Sequence, residues 1–321
     1  MPARIFCIRA WNPTALAFPG SPWSGPLTRT EARTIGADAN PEFPSRLANL
    51  STFVHLSPGS GAPLTGLVVT GGSEKQILVR AVGPGLRQFG LTDTLTDPVL
   101  SILDGHGVEI ARNAGWTLGP DAPDLSRVSA NAGAFRLPAG SADSALTLRL
   151  APGSYTVVVS SAADSTGTAL AEIYELDRVG SLASLSTCAV VNADAPMLAG
   201  GFVVRGSAPK KFLVRAVGPA LAAWGVTGVL ADPVIAISAA TGQIARNNDW
   251  GSVANADLPD GSVGDPAAIA GAATACGAFA LAAGSHDAAL VVTLAPGSYT
   301  AQVTSRDGSS GLVLLEVYGV P

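Results

Sequence analysis

The sequence predicts an all-β protein: two tandem antiparallel β-sandwich domains, jelly-roll or immunoglobulin-like, behind an extended N-terminal tail. Three observations predict it. First, the chain repeats itself. Residues 46–177 contain RLANLST, ILVRAVGPGL, TDPVLSI, EIARNAGW, GAFRLPAGSADSALTLRLAPGSYTVVVSS and ALAEIYELD. Residues 181–321 contain SLASLST, FLVRAVGPAL, ADPVIAI, QIARNNDW, GAFALAAGSHDAALVVTLAPGSYTAQVTS and VLLEVYG. Arg80 and Arg215 lie 135 positions apart and Tyr155 and Tyr299 lie 144 apart, so the second copy carries a net nine extra residues between Arg215 and Tyr299, the expansion falling between Trp250 and Gly277. A unit of about 130–140 residues is too long for a solenoid repeat and suits a self-contained domain. Second, only 13% of residues are charged, too few for solvent-facing amphipathic helices. Third, the 37 Gly and 23 Pro punctuate short apolar runs, the pattern of strands joined by tight turns.

The elements follow in order. Residues 1–45 form a tail punctuated by Pro2, Pro13, Pro19, Pro22, Pro26, Pro41 and Pro44. Such a segment is extended or disordered. Within it, residues 3–11 have β-propensity and no internal proline, so Ile5, Phe6, Ile8 and Trp11 mark a candidate donor strand; a frayed terminus is the competing reading. The first domain spans 46–178. Its strands are expected at 47–55, 63–70, 76–82, 99–103, 108–112, 145–150, 154–160 and 168–176, with a hairpin at Asp104-Gly105-His106-Gly107 and a polar loop from Asn113 to about Asn131. The strand at 76–82 is the most apolar and stops at Gly83-Pro84, where proline has no donor for a ladder. The second domain spans 180–321 and repeats the order at 202–204, 211–217, 234–238, 243–246, 288–294, 298–305 and 312–318, across a linker at 177–181. Neither copy contains a good helix pattern, so an antiparallel sandwich is expected.

Leu150-Ala151-Pro152-Gly153-Ser154-Tyr155 and Leu294-Ala295-Pro296-Gly297-Ser298-Tyr299 end one strand, turn the chain and open the next with tyrosine. This predicts a tyrosine corner, its hydroxyl bonded to upstream backbone. The DP-V-x-x-I segments from Asp97 and Asp232, the IARN segments at 110–113 and 244–247, and these tyrosine turns resemble the bacterial pre-peptidase C-terminal domain, a jelly-roll-like module of secreted hydrolases and surface proteins. The LxxLST and VRAVGP segments are similar to tandem repeats of large secreted bacterial proteins. The resemblance covers residues 46–321 and implies an extracellular location and a calcium-binding loop in some members. No peptidase signature accompanies it.

Chemistry is sparse. A net charge of −5 without a basic stripe excludes the electrostatic footprint of nucleic-acid binding. No apolar run is long enough for a membrane-spanning helix. His55, His106 and His286 occupy positions that do not recur between copies, and no HExxH, GxSxG or Walker motif is present. No enzymatic activity is therefore expected. Arg80 and Arg215 stand in register, as do Asp97 and Asp232, and one Arg–Asp ion pair per domain is expected, with a carboxylate-binding arginine as the sharper alternative. Cys188 and Cys276 both fall in the second copy, as a domain-specific disulfide or as two small buried side chains. Asn247, Asn248, Asp249, Asp257, Asp260 and Asp265 supply the oxygens a calcium loop needs; Asx turns in a solvated loop are the alternative. Trp116 and Trp250 follow those loops in register, either capping the core or stacking on sugar rings. The functional expectation is an extracellular structural or adhesive module that assembles into a surface or matrix filament by donating its N-terminal strand to other copies of itself. The alternative is a polysaccharide- or calcium-binding accessory module of a secreted hydrolase system.

Overall fold

A computed structural model describes residues 44–56, 64–193, 195–252, 256–257 (backbone only) and 264–321. The candidate donor strand residues Ile5, Phe6, Ile8 and Trp11 lie outside them, as do Asp260 and the side chain of Asp257. The described chain falls into two compact units, 48–187 and 188–321, the latter together with residues 44–47. That boundary lies inside a strand rather than in the 177–181 linker read from the sequence.

In the first unit the strands are β1 (Arg46–Leu56), β2 (Leu64–Thr70), β3 (Lys75–Val82), β4 (Pro98–Leu103), β5 (Glu109–Asn113), β6 (Ser144–Leu150), β7 (Gly153–Ser161) and β8 (Gly167–Glu175). The strands pair antiparallel, and an isolated parallel bridge joins Thr94 to Thr168. One sheet has the order β1-β8-β3-β6 and the other β2-β7-β4-β5. This alternation of consecutive strands between two four-stranded sheets is the double Greek key of a jelly roll. It selects the jelly-roll member of the expected pair over the immunoglobulin-like one. The second sequence copy repeats it with β9 (Ser181–Val191), the strand that holds the unit boundary, β10 (Met197–Arg205), β11 (Lys210–Val217), β12 (Pro233–Ala239), β13 (Gly242–Asn247), a two-residue β14 (Ala256–Asp257), β15 (Ala288–Leu294), β16 (Gly297–Ser305) and β17 (Gly311–Gly319). The orders there are β9-β17-β11-β15 and β10-β16-β12-β13-β14.

Burial follows position in the sheet. β3 and β11 sit between two neighbours and are buried without a break from Ile77 and from Phe212 onward. Each is followed by a short 3-10 turn, Pro84–Phe89 or Pro219–Trp224. The glycine before each turn is a requirement of space. A Cβ on Gly83 would stand 2.1 Å from the Leu95 carbonyl oxygen, and one on Gly218 would stand 2.1 Å from that of Leu230. Proline alone ends the strand, but glycine lets the crossing backbone touch it.

The expectation of no helix is corrected. α1 (Ala122–Ala132) lies in the stretch read as a polar loop, and α2 (Pro266–Cys276) in the expanded segment of the second copy. Both have proline in the first turn and a left-handed glycine, Gly133 or Gly277, at the C-terminus. Leu125, Val128 and Ala132 place one stripe of α1 on a core with Leu78, Trp116 and Tyr174. In α2, Ile269, Ala272 and Ala273 pack with Leu213, Trp250 and Tyr318. These short helices close each sandwich over buried tryptophans. Among the described residues no helix is long and apolar enough to cross a membrane.

Candidate functional site

Most polar side chains shared by the two copies serve the fold. The Tyr155 hydroxyl donates to the Ala151 carbonyl at 2.9 Å and that of Tyr299 to Ala295 at 2.8 Å, the geometry of a tyrosine corner. Asn113 Oδ1 accepts from the Ala145 amide, and Asn247 Oδ1 from that of Ala289, tying the end of β5 to β6 and of β13 to β15. Asp143 and Asp287 were missed from the sequence, although each copy retains one two residues after a serine. Asp143 Oδ1 accepts from the Gly83 and Gly85 amides at the start of the 3-10 turn, and its Oδ2 accepts from Ser141 at 2.6 Å. Asp287 does the same with Gly218, Ala220 and Ser285. The indole N–H of Trp116 donates to Ser141, and that of Trp250 to Ser285 and the Ala282 carbonyl. Both tryptophans are buried, so neither presents the face a sugar ring would stack on.

The Arg–Asp pairing is corrected. Arg80 is opposite Glu172 across the β3–β8 ladder, and Arg215 opposite Glu316 across β11–β17. Both arginines are fully buried. Arg80 Nε lies 2.9 Å from Glu172 Oε2, and Arg215 Nε donates to Glu316 Oε2 at 2.9 Å. Each guanidinium also donates to a phenylalanine carbonyl, Phe135 or Phe279, and sits 4.4 Å above that same ring. Burial lowers the Arg215 pKa, but the charges of Glu316, Tyr318 and Asp287 and the Glu316 hydrogen bond together outweigh it and leave the value raised. Both guanidinium groups are enclosed, and no carboxylate ligand reaches them from solvent.

Asp97 instead gathers hydroxyls and an amide. Ser161 and Ser165 donate to Oδ1 and the Ala163 amide to Oδ2. Burial pushes its carboxyl up, and the hydrogen bonds of Ser165, Ser161, Ala163 and Thr96 together outweigh it, so the pKa ends below the ordinary value. No disulfide joins Cys188 and Cys276; Cys276 Sγ instead approaches the Gly319 carbonyl at 3.9 Å, and burial pushes its thiol up. The six-residue calcium set is not assembled among the described residues. Asn247 is committed to Ala289, and Asp265 caps α2 by accepting from the Ala268 amide at 3.2 Å.

What the structure does assemble is different. At one end of the second unit, Asp232 before β12, Asp249 after β13, His286 before β15 and Arg306 after β16 converge. Asp249 Oδ1 is 2.8 Å from His286 Nδ1. Arg306 NH1 stands 3.6 Å from Asp249 and 3.9 Å from Asp232. The hydrogen bond and charge of Asp249 raise the His286 pKa; burial, and then the Asp249 charge, raise that of Asp232. Asn248 is 4% exposed and donates from Nδ2 to Asp249 Oδ2 at 3.1 Å. Asp232 and Asp249 appeared in separate sequence readings, as an ion-pair partner and as a calcium ligand; His286 was set aside because it does not recur.

No family model and no curated protein matches the chain. Among solved structures, the major capsid protein P2 from bacteriophage PM2 aligns over 84% of this chain and 98% of its own, at 9% identity and a TM-score of 0.19. A variant of oxalate decarboxylase from B. subtilis aligns over 85% and 69%, at 7% identity and a TM-score of 0.16. The pre-peptidase C-terminal resemblance therefore rests on the turn and strand motifs alone.

Proposed function

We propose that the chain is a non-catalytic extracellular module with a structural or adhesive role, which associates with other copies of itself. One observation supports this reading most: the polar side chains that duplication retained (Tyr155 and Tyr299, Asp143 and Asp287, Arg80 and Arg215, Asn113 and Asn247) are all bonded within their own unit and serve the fold. A duplicated enzyme would be expected to retain an exposed reactive set in at least one copy together with a cleft to hold substrate. Here His55 lies beside Thr168 and Asp93, His106 in an exposed hairpin turn and His286 at the acidic cluster, with no serine or cysteine nucleophile bonded to any of them among the described contacts. The polysaccharide-binding alternative is weakened by the burial of Trp116 and Trp250.

Self-association would use sheet edges, with the candidate donor segment read from the sequence at residues 3–11. Sedimentation of the full chain and of a chain lacking residues 1–45, over a range of concentration, tests it. Assembly of the full chain that is lost in the truncation is the expected result. Two monomers at every concentration would overturn self-association, and substrate turnover abolished by His286→Ala would overturn the non-catalytic reading.

A further inference from the structure

We propose that Asp232, Asp249 and His286, with the Asn248 carboxamide, form a binding site for one divalent first-row transition ion of the Zn2+ or Mn2+ kind, confined to the second unit. The two carboxylates and the imidazole each offer one donor atom, and these lie within 4.8 Å of one another. Metal–ligand bonds are about 2.0–2.2 Å, so an ion among them meets all three after small side-chain movements.

A second observation points to a missing cation. Asn248 Oδ1 and Asp232 Oδ1 are both buried and have no hydrogen-bond partner among the described residues. The Asn248 side chain is more than nine-tenths buried and its Nδ2 donates to Asp249 Oδ2, so the carboxamide lies against the cluster with its nitrogen toward it. Buried oxygens are rarely left without a partner; a cation at the cluster gives Asp232 one, and turning the carboxamide end for end presents the Asn248 oxygen to the same ion.

The first copy shows how the site arose. Asp97, the counterpart of Asp232, is satisfied by Ser161, Ser165 and the Ala163 amide. The second copy keeps those serines as Ser305 and Ser309, but it has Asp307 where the first has Ala163. Asp307 accepts from the Ser305 hydroxyl at 2.8 Å and from the Ser309 amide at 2.9 Å. The donors that serve Asp97 are thus diverted, and Asp232 is left with an orphaned oxygen. In the same copy Asn248, Asp249 and His286 replace Ala114, Gly115 and Ala142. Loss of donors and gain of ligands fall on one spot.

Ligand chemistry sets the class of ion. Calcium takes six to eight oxygens, whereas imidazole mixed with carboxylate suits first-row transition ions. Arg306 is the resident competitor. It lies beyond hydrogen-bond distance of both carboxylates and is about half exposed, so it can swing into solvent when an ion enters.

The test is titration of the full chain with Mn2+, read from the loss of the free-ion EPR signal, with Zn2+ as displacing ion and Ca2+ as comparison. Manganese avoids the soft thiol ligands that would capture zinc elsewhere. One Mn2+ per chain, displaced by Zn2+, is expected. Asp232→Asn and His286→Ala should each abolish binding, Arg306→Ala should strengthen it, and Asp97→Asn should leave it unchanged. His286 is exposed, so His286→Ala carries the test even if Asp232→Asn fails to fold. Absence of Mn2+ and Zn2+ binding, binding that survives His286→Ala, or binding of Ca2+ alone would each overturn the proposal.

Discussion

Replacing Glu316 by leucine removes three hydrogen-bond acceptances at once: from Nε and NH2 of Arg215 and from the Tyr318 hydroxyl at 2.6 Å. Arg215 has no exposed surface, so its charge cannot turn to water. What remains to it is the Phe279 carbonyl at 2.6 Å and the ring beneath. Breaking a buried pair from one side costs about 3–5 kcal/mol. With a urea dependence of about 1–3 kcal/mol per molar, that lowers the unfolding midpoint by about 2 M. The double variant Arg215→Met with Glu316→Leu leaves no buried charge. Its cost is confined to the orphaned Phe279 carbonyl and Tyr318 hydroxyl, about 1–3 kcal/mol, less than that of Glu316→Leu alone. Urea titrations followed by circular dichroism and by fluorescence measure all four corners of the cycle; Trp250 shares a core with Tyr318 and reports on this region. A single variant that costs under about 1 kcal/mol, or a double variant as costly as the two singles together, would refute the coupled buried pair.

Asp143→Ala leaves the Gly83 and Gly85 amides and Ser141 without their acceptor and should cost about 3 kcal/mol in urea unfolding, whereas Asp143→Asn, which keeps one acceptor oxygen, should cost less. Gly218→Ala forces a Cβ against the Leu230 carbonyl and should destabilise by about 2–3 kcal/mol, while Gly271→Ala, in open space on α2, should stabilise by about 0.5–1 kcal/mol; thermal melts distinguish the two signs. Asp97 has a folded pKa below its unfolded value near 3.9. Its contribution is therefore present above about pH 4 and is lost as pH falls through the depressed folded value, so the stability gap between the parent and Asp97→Asn should be full at pH 7 and close on acidification below pH 4.

The fold was legible because its signals are local. Alternation, Pro-Gly turns and the two tyrosine segments placed most strands within a residue or two of where they lie, as at 76–82 against Lys75–Val82 and 154–160 against Gly153–Ser161. The helices were missed although their marks were present. Asp265 before Pro266 and Gly277 after Cys276 bracket an alanine-rich run, and the expectation of an all-strand sandwich overrode that capping pattern. Asp265 was read as a metal ligand because a helix cap and a calcium ligand ask for the same residue types in the same kind of loop.

By itself the sequence determined that two copies of one β-domain follow a proline-rich tail, and that each copy has a central apolar strand and a tyrosine corner. Those features depend on residues close together in the chain, where spacing is geometry. Only the tertiary structure decided who meets whom. Arg80 faces Glu172 because β3 and β8 pair in that register, a relation between residues 92 positions apart that no local pattern encodes. Asp232, Asp249 and His286 meet because four strand ends of a jelly roll emerge at one end of the second unit. Whether a carboxylate there is satisfied or left waiting for a cation depends on which neighbouring side chain claims the same serine hydroxyl: Asp97 holds Ser161 in the first copy, and Asp307 holds Ser305 in the second.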